Sequence, residues 1–374
     1  MGFGEPTTGA GGEPPDLAER LEQARQIVTT LIPGAVADEG THPAIWVPSA
    51  DGLRERFLEL QRRLGPLGLL PLLRMRDGRP AMLLVPKPPP GRWAWQTNLL
   101  LFLATVGTTF AAGYLQSQGL VQLGFMDSPV TGGLAFSLSL LFILGAHEMG
   151  HKFVAVRRGI DASLPYFIPI PPVPPFVIGT MGAVIVTRTP SPNRDSLMEL
   201  GASGPIAGFL AAIPVLIYGV MHSFPIQPGQ VEGVVVFPDP LLVRWLVRWL
   251  RDLPPGTDLL MHPVMFAGWI GLLVTSLNLL PSGMLDGGHA VRAAAGARWH
   301  QGISVAGVMI AVVIGAWLMA ILMLLLLRRG HVGPLDDLTP LSPSHRLMGL
   351  ALAAIFALSV SALFPLTSIP DLFR

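Results

Sequence analysis

The sequence contains no cysteine and little charge. Without cysteine the chain can form neither a disulfide nor a thiolate metal site, which leaves histidine, aspartate and glutamate as possible metal ligands. Only 13% of the residues are charged, against about a quarter in a typical soluble domain, and 51% are hydrophobic. The basic residues behind the net charge of +1 are scattered and give no nucleic-acid footprint. The composition therefore predicts a protein that crosses a membrane several times and has no nucleic-acid partner.

The amino-terminal part of the chain is less apolar than the rest. No charged stretch followed by an apolar core is present, so we expect no cleavable signal peptide. Residues 1–15, rich in glycine, proline and acidic side chains, are expected to be disordered. Residues 16–90 are predicted to form a small soluble α+β domain with a proline-rich linker. Its expected elements are helices from Leu17 and Leu53, a strand from Ala44 to Val47, and a hairpin that turns at Asp77-Gly78.

Residues 91–374 are predicted to form a polytopic α-helical membrane domain with about six transmembrane helices. Each candidate stretch is close to the twenty or so apolar residues that a bilayer requires. The stretches cover about 96–116, 132–156, 197–221, 260–281, 303–327 and 346–365. A further segment, residues 241–250, separates its arginines from its tryptophans, as in a helix that lies in the membrane interface.

The second apolar stretch contains the pentad His147-Glu148-Met149-Gly150-His151. On a helix the two imidazoles share one face and can bind a single Zn²⁺, while Glu148 reaches a metal-bound water as general base. Ionisable side chains are costly in hydrocarbon and by default mark function there. The alternative is a polar cluster inside the bundle that holds no metal. The membrane setting favours a zinc peptidase.

A zinc peptidase needs a third protein ligand and leaves the fourth position to water. Asp286 follows the fourth apolar stretch, and an even number of crossings returns it to the face where the pentad lies. Alternatively, Asp286 only forms a turn with the two glycines that follow it, or caps a helix. Pro281 is expected to end the fourth stretch and to free backbone groups for a substrate.

The two motifs together resemble the site-two protease family of intramembrane zinc metalloproteases. Asn278, Pro281, Asp286 and Gly287 fit the family's second motif, N-x-x-P-x-x-x-x-D-G, position for position. The resemblance is strongest to the chloroplast group called ethylene-dependent gravitropism-deficient and yellow-green and to its bacterial relatives, and it extends over about residues 95–365. It implies that His147, His151 and Asp286 bind zinc, that Glu148 is the general base, and that Asn278 helps to hold the substrate carbonyl.

Asn278 and the nearby His289 each have more than one interpretation. Asn278 could serve simply as a polar contact between membrane helices. His289 has the side chain of a ligand, but because three ligands are already present we interpret it as an outer partner or a structural residue. Gly201, Gly204 and Gly208 in the third stretch are predicted to allow close helix packing without a catalytic part.

The segment from Leu164 to Thr187 is apolar but contains five prolines, so it cannot be a continuous helix. Phe176 to Val186 is predicted to be a strand whose free edge pairs with an unwound substrate, which makes Gly182, Ala183 and Val184 the candidate substrate-binding residues. The family resemblance implies a re-entrant hairpin beside the active site. The alternative is a plain loop on the membrane surface.

The predicted function is hydrolysis of peptide bonds within or next to transmembrane segments of membrane-anchored substrates, with zinc as cofactor. The expected partners are a transmembrane protein substrate and the lipid bilayer. Lys152, Arg157 and Arg158 follow the pentad, so the positive-inside rule places the active site toward the cytoplasmic side, and we expect a prokaryotic cell membrane. A catalytically inactive scaffold or a metal transporter with the same cluster remains the alternative.

Overall fold

The structure is a computed structural model. It describes residues 17–37, 44–50, 52–89, 91, 94–173, 177–227, 230–231, 238–328 and 331–360. The expectations for residues 1–15 and for Phe176 therefore fall outside the described residues. The chain divides into two compact units, residues 1–89 with 335–339, and residues 90–334 with 340–374.

The first unit has two helices and a four-stranded antiparallel sheet of order β1-β2-β4-β3. Its elements are α1 (Leu17–Leu31), β1 (Val36–Ala37), β2 (Ala44–Trp46), α2 (Arg54–Leu64), β3 (Leu69–Arg76) and β4 (Arg79–Pro86). Phe57 and Leu60 of α2 are fully buried with Leu73 and Met82 of the sheet. The predicted helices, strand and hairpin of this region are confirmed.

The β3–β4 hairpin turns tightly through two residues. Asp77 and Gly78 both have positive φ, 48° and 75°, which is the conformation of a two-residue hairpin turn. The other side of β3 is covered by residues 335–339 from the far end of the chain. The Leu73 amide donates to the Leu335 carbonyl over 2.9 Å, so this edge of the sheet does not remain open.

The second unit is mostly helical and contains two small two-stranded sheets. Its elements are α3 (Trp95–Gln122), α4 (Pro129–Arg157), β5 (Tyr166–Pro169), β6 (Thr180–Val184), α5 (Arg194–His222), β7 (Phe224–Ile226), α6 (Leu241–Leu250), β8 (Asp258–Leu260), α7 (Pro263–Asn278), α8 (Asp286–Val313), α9 (Trp317–Leu327) and α10 (Pro343–Ser359). Among the described residues, α3, α4 and α5 are long and apolar enough to cross a membrane. Leu100 and Leu138 on two of these helices are about two-thirds exposed, as is usual where a protein meets lipid and not water. The protein is a membrane protein, as its composition predicts.

The later apolar stretches form shorter helices than the sequence suggests. α7 has 16 residues, because Pro263 starts it and the chain leaves helical geometry after Asn278, before Pro281. The stretch 303–327 is not one helix. It is divided between α8 and α9 at Gly315, whose φ of 82° interrupts the helical hydrogen bonds.

The β5–β6 hairpin lies along α3. At its start, the Asn98 side-chain amide donates to the carbonyls of Leu164 and Pro165 over 3.0 and 2.9 Å. At its far end, Gly179 has φ of 84° and packs so closely on Thr108 that a side chain there would overlap the helix backbone. Thr108 is about 15 Å along α3 from Asn98 at the usual helical rise. The hairpin therefore follows α3 over about a third of that helix, and its far end lies near the middle of the helix.

Candidate metal centre and active site

The pentad lies on α4, as expected, and its polar side chains are all buried. His147, Glu148 and His151 are between 3% and 6% exposed. The Nε2 atoms of the two histidines lie 3.2 Å apart, with the rings edge to face. Two imidazole nitrogens at this separation in a buried site can bind one ion together.

Asp286 completes this cluster from the first residue of α8. Its Oδ2 lies 3.2 Å from His147 Nε2 and its Oδ1 lies 3.3 Å from His151 Nε2. In the part of the chain that the structure describes, these three residues are the one group whose ligand atoms lie within 4.8 Å of one another in a way that could hold a metal. Two nitrogens and a carboxylate, with no sulfur, are a suitable donor set for catalytic zinc.

A tight turn after α7 brings Asp286 back to the pentad. Gly283 has φ of 56°, and a side chain on Gly287 would overlap the carbonyl of Leu279. The turn therefore requires glycine immediately after the aspartate, which gives a physical reason for the D-G pair in the second motif.

His151 is held in the orientation that a ligand needs. Its Nδ1 lies 2.7 Å from the carbonyl oxygen of Leu200 in α5. Because a carbonyl can only accept, Nδ1 carries the proton and Nε2 of the neutral ring keeps its lone pair directed at the cluster. Leu200 itself follows Glu199, whose carboxylate accepts from Arg158 and bonds to His345 Nε2 over 2.9 Å. The hydrogen bond to Glu199 raises the pKa of Arg158, so this guanidinium, just past the end of α4, stays charged.

Asn278 contacts the ligand group, whereas His289 is not a member of it. The Asn278 side-chain amide is 3.4 Å from His147 Nε2, so the last residue of α7 does lie at the cluster. His289 is absent from the group that could hold a metal, and its Nδ1 instead contacts His331.

The β6 strand reaches Glu148. The Ile185 amide, directly after β6, faces the Glu148 carboxylate as a donor. The next amide, of Val186, points the other way and donates to Ser163 Oγ over 3.0 Å. Because successive amides of a strand alternate, the Ala183 amide lies on the same side as that of Ile185, away from β5.

The candidate substrate edge is open among the described residues. β6 pairs with β5 alone, with Phe167 opposite Ala183 and Tyr166 opposite Val184. Val184 is 47% exposed. The Gly182 amide is already bonded to Thr180 Oγ1 over 3.0 Å, so it does not form part of the free edge.

Three glycines of α5 pack closely against neighbouring helices, as predicted, but the sequence did not indicate that the metal cluster lies against them. Gly201, Gly204 and Gly208 form one face of that helix, and this face lies against the cluster. A side chain on Gly201 would meet the Asp286 carbonyl and the His289 Cβ at 2.7 and 2.9 Å, and one on Gly208 would meet His147 at 3.1 Å. The spacing of the glycines on one helix face was the available signal, but it did not indicate what they pack against.

Comparison with known proteins identifies one family and several similar proteins. Residues 135–323, half of the chain, match the profile of Peptidase family M50. "Probable zinc metalloprotease EGY1, chloroplastic" of Arabidopsis thaliana is 29% identical over 228 residues, which are 54% of this chain and 40% of that protein. The corresponding EGY2 of Arabidopsis thaliana is 33% identical over 162 residues, 42% of this chain and 28% of that protein. "Probable zinc metalloprotease EGY3, chloroplastic" of Oryza sativa subsp. indica is 26% identical over 295 residues, 73% of this chain and 48% of that protein.

The chain thus spans less than half the length of each of these relatives. No solved structure matches it. The matched region contains the pentad on α4 and the N-x-x-P-x-x-x-x-D-G turn that brings Asp286 to it. The resemblance predicted from these two motifs is confirmed, and the chain belongs to Peptidase family M50.

Proposed function

We propose that the protein is an intramembrane zinc metalloprotease that hydrolyses peptide bonds within or next to transmembrane segments of membrane-anchored substrates. One observation carries the proposal: His147, His151 and Asp286 converge on one point, and Glu148 lies between the two histidines in the sequence of α4. The named relatives are called zinc metalloproteases, which supports zinc as the metal.

In this proposal, His147 Nε2, His151 Nε2 and the Asp286 carboxylate bind the zinc. When bound, zinc lowers the pKa of a coordinated water and polarises the substrate carbonyl. Glu148 takes a proton from the attacking water at its carboxylate and returns it to the leaving amine. The Asn278 side-chain amide, next to His147, donates to the substrate carbonyl oxygen and keeps it oriented.

We further propose that the β5–β6 hairpin is re-entrant and that its β6 edge binds the substrate. The contacts of the hairpin with α3 at Asn98 and Thr108 support this, because they place its far end about halfway along a helix that can cross the membrane. Irregular backbone at that depth needs protein or a polar cavity beside it. A helical substrate hides its carbonyls in hydrogen bonds, so it must unwind locally. The free edge of β6, where the Ala183 amide points away from β5, then offers the unwound chain a new partner.

The membrane domain is proposed to have six crossings. α3, α4 and α5 supply three, and α7, the α8–α9 pair and α10 the others, with the interruption at Gly315 in the fifth. The return of Asp286 to the pentad agrees with an even number of crossings between them. Crossings shorter than a bilayer require either a locally thinner membrane or burial against neighbouring helices.

The pentad end of α4 is proposed to face the cytoplasm. Lys152, Arg157 and Arg158 at this end support that orientation by the positive-inside rule. The relatives are named as chloroplast proteins, which does not fit the prokaryotic cell membrane that we expected from the sequence. We therefore limit the proposal to an integral membrane protein with this end on its cytoplasmic face.

Zinc content and cleavage of a model transmembrane peptide, measured on the same detergent-purified sample, test the proposed function. We expect about one zinc per chain and cleavage that a chelator abolishes and added zinc restores. Zinc without cleavage would indicate an inactive scaffold. Metal movement across vesicles without cleavage would indicate a transporter, which would require further ligands along a path.

A further inference from the structure

The start of α8 is held by a histidine from a distant loop. His289 lies three residues after Asp286, one helical turn away and on the same side of α8. Its Nδ1 is 2.8 Å from Nε2 of His331, which follows α9. The two rings meet edge to face, with centroids 4.9 Å apart.

The direction of this hydrogen bond is fixed by a neighbouring amide. The Gly333 amide donates to His331 Nδ1 over 2.9 Å, so Nδ1 is the acceptor of that ring. Burial lowers the pKa of His331, which keeps the ring neutral. Its single proton is therefore on Nε2 and is donated to His289 Nδ1.

His289 also lies where α8 meets the glycine face of α5. A side chain on Gly201 would meet both the Asp286 carbonyl and the His289 Cβ, so at this point the two helices are in direct contact. The same face of α5 contacts His147 at Gly208. A shift of His289 would therefore move the helix turn that carries Asp286 relative to the two histidine ligands.

We propose that His331 and His289 are positioning residues of the metal centre, which hold the first turn of α8 so that Asp286 can complete the ligand set. The inference rests on the proposed function, because it takes Asp286 as a zinc ligand. It makes the loop after α9, which no motif indicated, part of the support of the site. Groups that orient metal ligands from outside commonly change metal affinity by about 10- to 100-fold when they are removed.

The test is zinc affinity, measured by competition with a chromophoric chelator on purified protein. His331→Ala removes the donor, and we expect zinc to be held about 10- to 100-fold more weakly. His331→Gln keeps an N–H donor of similar reach and is expected to recover most of the affinity. His222→Ala, which changes an exposed histidine at the other end of α5, is the matched control and should leave the affinity unchanged.

A second pair of variants, at His289, separates the loss of the hydrogen bond from a folding defect in His331→Ala. His289→Asn keeps an acceptor near the position of Nδ1, whereas His289→Leu removes it and keeps similar bulk. We expect the asparagine variant to hold zinc more tightly than the leucine variant, at equal thermal stability. The inference is overturned if His331→Ala binds zinc as tightly as the parent protein. It is also overturned if the two His331 variants, or the two His289 variants, lose the same zinc affinity. If Asp286→Ala retains zinc, the proposed ligand set itself is wrong, which separates the two failures.

Discussion

Gly204 of α5 lies directly against the imidazole of His151, so closely that a methyl group on Gly204 would overlap Nε2, the atom proposed to bind zinc. The two residues come from different helices, and their contact leaves no room for any side chain. The absence of a side chain at position 204 is therefore a requirement of the site. The glycine does more than allow the two helices to pack.

We predict that Gly204→Ala displaces His151 and lowers zinc occupancy sharply. Overpacking of a tight core typically costs about 1–3 kcal/mol, and here the atom that must move is the one proposed to bind zinc. Zinc content of the purified variant is the measurement. Gly145→Ala, on α4 at a position with open space around it, is the control and should keep its zinc. Full occupancy in Gly204→Ala would show that His151 does not coordinate through Nε2.

The ligand set gives a second prediction. His147→Ala, His151→Ala and Asp286→Ala should each reduce zinc well below the one ion per chain expected of the parent, because a site with three protein ligands loses most of its affinity with any one of them. Ser117→Ala, a change of a buried polar residue of α3 that packs on Gly132, about 22 Å along α4 from His147 at the usual helical rise, controls for general damage. An Asp286→Ala variant that still holds zinc would identify the third ligand as wrong.

Glu148 is predicted to act in proton transfer and not in coordination. Glu148→Gln keeps the size and polarity of the side chain but cannot accept the proton of the water, so cleavage of a transmembrane peptide should fall about 10²- to 10⁴-fold. Zinc content and thermal stability should stay at the parent level. Turnover close to that of the parent would rule out this residue as the base.

The elements that the sequence predicted well have local causes. The Asp77-Gly78 turn and the pentad on a helix follow from residue types and spacing within a few positions. The return of Asp286 to the pentad was expected from the sequence because an even number of proposed membrane crossings separates them. These features need no knowledge of which surfaces meet.

The features that the sequence did not predict depend on contacts between distant segments. The glycine face of α5 is visible as a spacing, but only the fold shows that it lies against His147 and His151. Nothing near His331 indicates that it bonds to a residue 42 positions earlier. The break at Gly315 was missed because glycine is tolerated within many helices, and hydropathy alone does not distinguish one long helix from two short ones.

The last prediction concerns the proposed substrate edge, and the structure identifies which backbone amide to test. Proline at position 184 would remove an amide that points to β5, and proline at 185 would remove the donor that faces Glu148. The Ala183 amide is on the free side, so Ala183→Pro removes one donor from the proposed substrate edge while the zinc ligands stay in place. A substrate carbonyl left without its partner costs about 1–3 kcal/mol, which corresponds to roughly a 5- to 150-fold loss in binding.

We expect this loss to appear as a higher KM for a transmembrane peptide, with zinc content unchanged. Ala183→Val, which enlarges the side chain but keeps the amide, is the matched control and should retain a KM close to that of the parent. The comparison separates the backbone donor from the side chain, because a strand added at this edge depends on the former. Equal KM values for Ala183→Pro and Ala183→Val would mean that the substrate does not pair with β6, and the hairpin would then be only a part of the wall beside Glu148.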